Sequence, residues 1–96
     1  MEKGIHVLSL GGSLVYPEEI NIPFLKKFRR FITQEIKRGK KFIIIVGGGG
    51  PARRFQNAAE RIVRVSDEDK DWIGIHATRM NAQLLRTIFK REAHPV

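Results

Sequence analysis

Hydrophobic residues form two short runs in this chain, and a cluster of glycines follows each run. Residues 5–10 (IHVLSL) predict a first strand, which leads directly into Gly11–Ser13. Residues 42–46 (FIIIV) are apolar without alternation, and Gly47–Gly50 come next. A continuous β-branched run of this length is typical of a strand that is buried on both faces of a parallel sheet.

A helix is predicted between the two strands. Apolar residues recur at helical spacing from Phe24 to Ile36, and basic side chains occupy the other side. Asn21 is placed to cap this helix, and Gly39 suits the position just beyond its end. Pro17 and Pro23 indicate a loop before it. Strand, helix and strand over this length form a βαβ unit, whose crossover is nearly always right-handed.

Two further helices are predicted after the second strand. One starts at Pro51, because proline is favoured at the first helical position, and its helical spacing continues to Val63. The acidic segment 66–69 can cap the other helix, which is expected over about residues 70–90. Residues 93–96 suggest a turn back toward another strand.

The two glycine turns are expected to lie together, because parallel strands share a direction and open α/β sheets bind ligands beyond the carboxyl ends of their strands. Glycine permits positive φ and a close approach of a ligand. The start of a helix offers free N–H groups and the positive end of its dipole to an anion. Arg53 and Arg54 oppose that dipole unless an anion neutralises them. The turns therefore predict phosphate binding, and a purely steric role for the glycines is the alternative.

The second glycine turn lacks the features of two common nucleotide motifs. No Gly-Lys-Ser/Thr closes it, so it is not a Walker A loop. Gly47 and Gly49 lack the third glycine of a dinucleotide fingerprint. No residue stands out as a general base or nucleophile. Phosphoryl transfer does not require one, because its catalysis is mostly positioning and charge stabilisation.

Composition narrows the class of protein further. The chain has 96 residues, enough for one small domain, and its net charge of +8 suits anionic ligands. It has no cysteine, which excludes a disulfide framework and a thiolate metal site. No apolar run approaches the roughly 18 residues of a membrane span, and the N-terminus lacks the features of a signal peptide. A cytoplasmic protein without a membrane partner is expected.

For several polar residues, a structural role is the default interpretation. The three histidines are scattered without carboxylates at metal-ligand spacing, so we expect no protein-ligated metal. Asp71 follows an acidic cap cluster, where capping or solvation is the alternative to a ligand role. Thr78 and Asn81 are able to hydrogen-bond across an interface, although structural roles are favoured. The basic runs 26–30 and 37–41 are expected to be solvated, because the interleaved aromatic residues of a nucleic-acid stacking surface are lacking.

Three motifs, in their order and spacing, resemble the amino acid kinase family, and most of all its UMP kinases of archaeal type. They are LSLGGS (residues 8–13), IIIVGGGGPAR (43–53) and DWIGIHATRMNAQLL (71–85), and with their spacing they cover almost the whole chain. The first motif fits any branch of the family. The D-x-x-G-x-x-x-T-x-x-N-A pattern, together with the GGG-x-x-A-R turn, favours the UMP kinase branch. The resemblance implies an α/β fold, a three-layer αβα sandwich with a parallel sheet.

The resemblance also implies a reaction and the residues that carry it. ATP and UMP would give ADP and UDP for pyrimidine nucleotide biosynthesis, with Mg²⁺ bridging the phosphates. ATP would be bound by Gly12, Ser13, Gly49 and Arg53. UMP would be bound by Gly48 at its phosphate and by Asp71 at its ribose hydroxyls. Arg53 would be the catalytic residue, offsetting charge on the transferring phosphoryl group.

The resemblance further implies a homo-oligomer, since full-length relatives commonly form hexamers. The third predicted helix, with Arg79 and Asn81, is a candidate for the subunit contact. Two departures from the family pattern matter. Ser9 stands where many members carry lysine, and the family fold continues well past Val96.

We therefore expect residues 1–96 to be the N-terminal, nucleoside monophosphate-binding and phosphate-binding part of an amino acid kinase domain, without the ATP-binding C-terminal part. Such a chain is expected to be inactive alone. One alternative is a non-catalytic nucleotide-binding or storage homologue of the same fold. The other is a basic nucleic-acid-binding module.

Overall fold

The structure is a computed structural model, and it describes residues 4–92. The elements in chain order are β1 (Ile5–Leu10), α1 (Gly12–Val15), α2 (Ile22–Lys37), β2 (Lys41–Val46), α3 (Gly49–Glu60) and α4 (Asp67–Ile88). The strand start predicted within residues 93–96 lies outside the described residues. Over residues 4–92, no helix has both the length and the apolar character that crossing a membrane requires.

The two strands pair in parallel, which confirms the predicted α/β class and its βαβ unit. Ile5 lies opposite Lys41 and Leu10 lies opposite Val46, with α2 as the connection. Because the strands are in register and point the same way, the segments that follow Leu10 and Val46 emerge side by side. Both glycine turns therefore begin at one edge of the sheet.

Helix α2 begins and ends as its sequence predicts. The Asn21 side chain accepts a hydrogen bond from the Phe24 N–H (3.2 Å), and Gly39 has a φ of 94° just beyond the helix end. Pro23 differs from the prediction, since it is the second residue of α2 rather than part of the loop. Its missing N–H costs nothing there, because the first N–H groups of a helix have no intrahelical acceptor.

Helices α3 and α4 both begin earlier than predicted. Helix α3 begins at Gly49, so that Pro51 is its third residue rather than its first. Helix α4 begins at Asp67, about three residues early, because Ser66 and Asp69 form a capping box. The Ser66 hydroxyl accepts from the Asp69 N–H (3.1 Å), and the Asp69 carboxylate accepts from the Ser66 N–H (3.2 Å). The acidic segment is thus the first turn of the helix.

The hydrophobic core lies on one side of the sheet, where α2 and the C-terminal half of α4 pack. Its buried centre consists of Leu10, Val15, Leu25, Val46 and Leu85. The other side of the sheet is uncovered in residues 4–92, with Ile43 51% and Ile45 55% exposed. The prediction that β2 is buried on both faces is therefore wrong for this chain. The continuous apolar run provides two apolar faces, and the described residues cover only one.

A buried carboxylate secures the connection from α2 to β2. Glu35 accepts hydrogen bonds from the Lys40 ammonium and from the Arg38 guanidinium, the latter at 3.1 Å. The hydrogen bond from Lys40 holds the pKa of Glu35 below its ordinary value. The positive charges of Lys40, Arg38 and His6 add to this effect, and burial opposes it.

Candidate phosphate-binding site

The two glycine turns meet by direct contact between their backbones. A Cβ atom on Gly12 would lie 2.4 Å from the Gly49 nitrogen and 2.6 Å from the Gly47 oxygen. Gly49 has a φ of 65°, and a Cβ there would lie 2.6 Å from the Gly12 oxygen. Glycine is therefore required at positions 12 and 49 for this contact alone. The steric interpretation of the glycines holds at these two positions, and it is compatible with ligand binding.

Arg53 connects the two turns through a side-chain contact. Its Nη2 donates a hydrogen bond to the Ser13 hydroxyl (3.3 Å), between residues 40 positions apart in the chain. Ser13 is the second residue of α1, and Arg53 is the fifth residue of α3. Both side chains are exposed, and a guanidinium carries five N–H donors. Most of the donors of Arg53 therefore remain available to an anion.

Arg54 has a structural partner, which sequence analysis missed. Its guanidinium donates to the carbonyl oxygen atoms of Pro17 (3.2 Å) and Glu18 (2.7 and 2.9 Å), and it stacks over the Tyr16 ring. The N–H of Gly50 donates to the Tyr16 carbonyl (3.2 Å), so it too is engaged. Arg54 therefore needs no anion to explain its place near the start of α3, because the carbonyl groups of the loop accept its hydrogen bonds.

An open groove of about 600 Å³ lies between α3 and α4, next to the second glycine turn. The turn and α3 line it with Gly48, Gly49, Arg53 and Gln56. Helix α4 lines it with Lys70, Asp71, Gly74, Thr78 and Arg79, among others. Asp71 is exposed in this groove, whereas Gly12 and Ser13 are not part of its lining. Arg53 is thus shared by the groove and the first turn.

Small residues allow the second glycine turn to approach α4 closely. A Cβ on Gly48 would lie 3.0 Å from the Ala52 Cβ and 3.4 Å from both the Ala77 Cβ and the Gly74 oxygen. Gly74 itself is different, since a Cβ there would meet only the Gln56 amide nitrogen, at 3.8 Å. That separation is an ordinary van der Waals contact. Packing therefore explains a small residue at position 48 and leaves the glycine at position 74 unexplained.

Asn81 is the buried polar residue beneath the second turn. It is 3% exposed, and its amide donates to the Gly47 oxygen (2.8 Å) and to the Gly48 oxygen (3.2 Å). A subunit contact through Asn81 is therefore wrong, since its side chain is used within the chain. Its neighbour Arg79 is exposed and lines the groove. Among residues 4–92, no three His, Asp or Glu side chains come together in a way that could hold a metal ion.

Comparison with known proteins identifies the family to which this fold belongs. The profile of the Amino acid kinase family matches residues 4–96, and the chain belongs to that family. Uridylate kinase from Thermococcus kodakarensis is 36% identical over 89 residues, and uridylate kinase from Methanocorpusculum labreanum is 37% identical over 90 residues. These alignments cover 93% and 94% of this chain, but only 39% and 37% of the relatives.

A solved structure shows the same fold. The crystal structure of UMP kinase from Bacillus anthracis aligns with a TM-score of 0.70 at 23% identity. The alignment covers 93% of this chain and 36% of that protein. The chain thus spans less than half the length of the proteins that it resembles.

Proposed function

We propose that this chain supplies the phosphate-binding part of a cytoplasmic UMP kinase, which transfers a phosphoryl group from ATP to UMP and releases ADP and UDP for pyrimidine nucleotide synthesis. The observation that carries the proposal is the hydrogen bond from Arg53 to Ser13, which joins the two glycine turns. The names of the uridylate kinase relatives supply the substrate pair.

In this proposal UMP occupies the groove between α3 and α4. Its phosphate accepts hydrogen bonds from the Gly48 backbone and from Arg53, and Asp71 accepts hydrogen bonds from its ribose hydroxyls. Gly48 and Asp71 line the same groove. The positive charges of Arg53 and Arg79 there suit a dianionic phosphate.

The ATP phosphates lie near Gly12, Ser13 and Gly49, where the first glycine turn meets the edge of the groove. Arg53 then contacts phosphate groups from both ligands, because it lines the groove and also reaches Ser13. As the phosphoryl group moves, a guanidinium held there offsets the charge that develops on its oxygen atoms. Arg53 is therefore the residue to which we assign catalysis.

ATP in kinases is bound together with Mg²⁺, which offsets its phosphate charge. The side chains that line the groove fit an ion that the nucleotide itself carries. Mg²⁺ in kinase sites is held largely by phosphate oxygens and water, with one or two carboxylates at most. Asp71 is the carboxylate among the groove residues described here, and it is assigned to the ribose. The ion would neutralise phosphate charge, and Arg53 would orient the phosphates from the protein side.

We also propose that the protein assembles as a homo-oligomer, namely a hexamer, with α4 as a contact. Trp72 is 52% exposed and Met80 is 71% exposed, and both lie on α4. Their spacing of eight residues places them on one side of the helix. Arg79 lies beside Met80, and Asn81 is excluded because it is buried.

Fluorescence of Trp72, which is the single tryptophan and adjoins Asp71, tests the proposal. The chain is titrated with UMP, with uridine and with a short RNA at two salt concentrations. A saturable response that UMP gives at a lower concentration than uridine supports the phosphate site. A response to RNA alone that weakens steeply with salt would instead support the nucleic-acid-binding alternative.

Catalysis is tested by supplying the region that the relatives have and this chain does not span. The chain is joined to the C-terminal region of a uridylate kinase relative, and UDP is measured with and without the Arg53→Ala substitution. UDP formation that depends on Arg53 supports the kinase. Nucleotide binding without UDP formation would instead support the non-catalytic homologue.

A further inference from the structure

Asn81 is the polar residue in the described part of the chain that is buried directly against the second glycine turn. One amide group donates to two successive carbonyl oxygens, those of Gly47 and Gly48, at 2.8 and 3.2 Å. These contacts bridge 33 and 34 positions in sequence, so they tie α4 to the turn. The glycine turn has little intrinsic preference for one conformation, and these two hydrogen bonds select one.

The geometry of the peptide bond gives these contacts a consequence for binding. In a trans peptide the C=O group and the following N–H group point in opposite directions. The peptide bonds of this turn are trans. Because Asn81 draws the carbonyl groups of Gly47 and Gly48 toward itself, the N–H groups of Gly48 and Gly49 are turned away from it.

The backbone of the turn has the conformation of an anion-binding nest. Gly48 is in the right-handed helical region (φ −78°, ψ −28°), and Gly49 has a φ of 65°. A right-handed residue followed by a left-handed one makes successive N–H groups converge on a concave surface that favours anions. The N–H of Gly50 is held by the Tyr16 carbonyl, which leaves those of Gly48 and Gly49.

We infer that Asn81 is a positioning residue, whose buried amide holds two carbonyl groups of the turn so that the N–H groups of Gly48 and Gly49 face nucleotide phosphates. This inference rests on the proposed function for the identity of the ligand. The positioning itself is a property of the ligand-free chain. Asn81 touches no ligand in this account and acts only through the glycine backbone.

The test compares Asn81→Ser and Asn81→Ala with Asn21→Ala. Asn21→Ala is the matched control, because it removes another asparagine hydrogen bond at the start of α2, away from the groove. Binding of UMP, inorganic phosphate and uridine is measured at a temperature where circular dichroism shows each variant fully folded. Asn81→Ser retains one hydroxyl donor, so it keeps the test valid if Asn81→Ala does not fold.

We expect the Asn81 variants to bind UMP and inorganic phosphate about tenfold more weakly, as when one charge-assisted hydrogen bond is lost. Uridine affinity should not change, and Asn21→Ala should bind all three ligands as the unchanged chain does. A merely structural role would weaken uridine binding as well, or would give Asn21→Ala the same loss. Equal UMP affinity in the folded Asn81 variants would overturn the inference.

An amide ¹H–¹⁵N spectrum of the ligand-free chain separates this inference from the proposed function. The signals of Gly48 and Gly49 should shift in Asn81→Ser and stay in place in Asn21→Ala. A chain that binds neither UMP nor phosphate would contradict the proposed function, and these signals would then decide the role of Asn81. Unchanged Gly48 and Gly49 signals in Asn81→Ser would overturn the inference that Asn81 positions the turn.

Discussion

Arg53 donates a hydrogen bond to Ser13 at 3.3 Å, and this contact joins two segments that lie 40 residues apart in the chain. The parallel pairing of β1 and β2 is what makes the contact possible, because it sets both glycine turns at one sheet edge. In the proposed function, this contact lies where the phosphates of the two nucleotides meet.

Arg53→Ala should weaken UMP binding about tenfold or more, because hydrogen bonds to charged groups contribute about 1.5–3 kcal/mol. Uridine affinity should stay the same, since Arg53 is assigned to phosphate. Isothermal titration of each ligand measures both effects. Arg64→Ala is the matched control: it removes the same charge from an exposed position beyond α3. Equal losses of UMP affinity in the two variants would show that the affinity depends on the net charge of the chain and not on the position of Arg53.

Asp71→Asn should weaken binding of both UMP and uridine, because it removes the ionised acceptor for the ribose hydroxyls. Inorganic phosphate should bind as before or slightly more tightly, since a negative charge leaves the groove. Asp67→Asn makes the same change in the first turn of α4, outside the groove lining, and should leave all three affinities unaltered. An unchanged UMP affinity in Asp71→Asn would remove Asp71 from the site.

Gly74→Ala should stabilise the fold and weaken the binding of UMP. Alanine in a helix interior is favoured over glycine by about 1 kcal/mol, and the added Cβ would meet only Gln56, at 3.8 Å. The midpoint of urea unfolding should therefore rise. UMP should bind more weakly, because the methyl group enters the groove.

Asn57→Ala is the control for Gly74→Ala, since it raises helix propensity on the exposed side of α3 without lining the groove. Asn57→Ala should raise the midpoint of urea unfolding and leave the UMP affinity unchanged. A Gly74→Ala chain that is more stable and binds UMP equally well would mean that no ligand atom lies over Gly74.

Glu35→Gln should destabilise the fold at neutral pH and have little effect in acid. The pKa of Glu35 is lower in the folded chain than its ordinary value of 4.5, first through the hydrogen bond from Lys40. Ionised Glu35 therefore stabilises the fold above pH 4.5, and this contribution is lost as the pH falls through 4.5 toward the lower folded value. Thermal unfolding at pH 7 and pH 3 measures the difference.

Glu19→Gln changes the same charge in the exposed loop before α2 and should show no such dependence. If the deficit of Glu35→Gln were as large at pH 3 as at pH 7, packing of the side chain rather than its ionisation would account for it.

Local patterns in the sequence predicted the helices and the shared edge of the two turns. Asn21 and Gly39 lie where helix caps are expected, and the two apolar runs pair in parallel. The partners of Arg54 and Asn81 escaped prediction because both are backbone carbonyls. Carbonyl groups are present at every residue, so only the folded geometry shows which of them a side chain reaches.

The covering of the sheet also escaped prediction, for a different reason. The FIIIV run shows that both faces of β2 are apolar, and burial depends on what packs against them. Residues 4–92 cover the side that carries Val46 and leave Ile43 and Ile45 half exposed. The side-chain pattern thus shows which faces of a strand are apolar. Whether such a face is buried depends on the elements that pack against it.

The most direct test of the central claim is an amide ¹H–¹⁵N titration of the chain with one ligand that joins adenosine to uridine through a chain of phosphates. The signals of Gly12, Ser13, Gly48 and Gly49 should all move along a single binding curve. That result would show that the two glycine turns form one phosphate site. Movement at one turn only, or two curves with different Kd values, would contradict it.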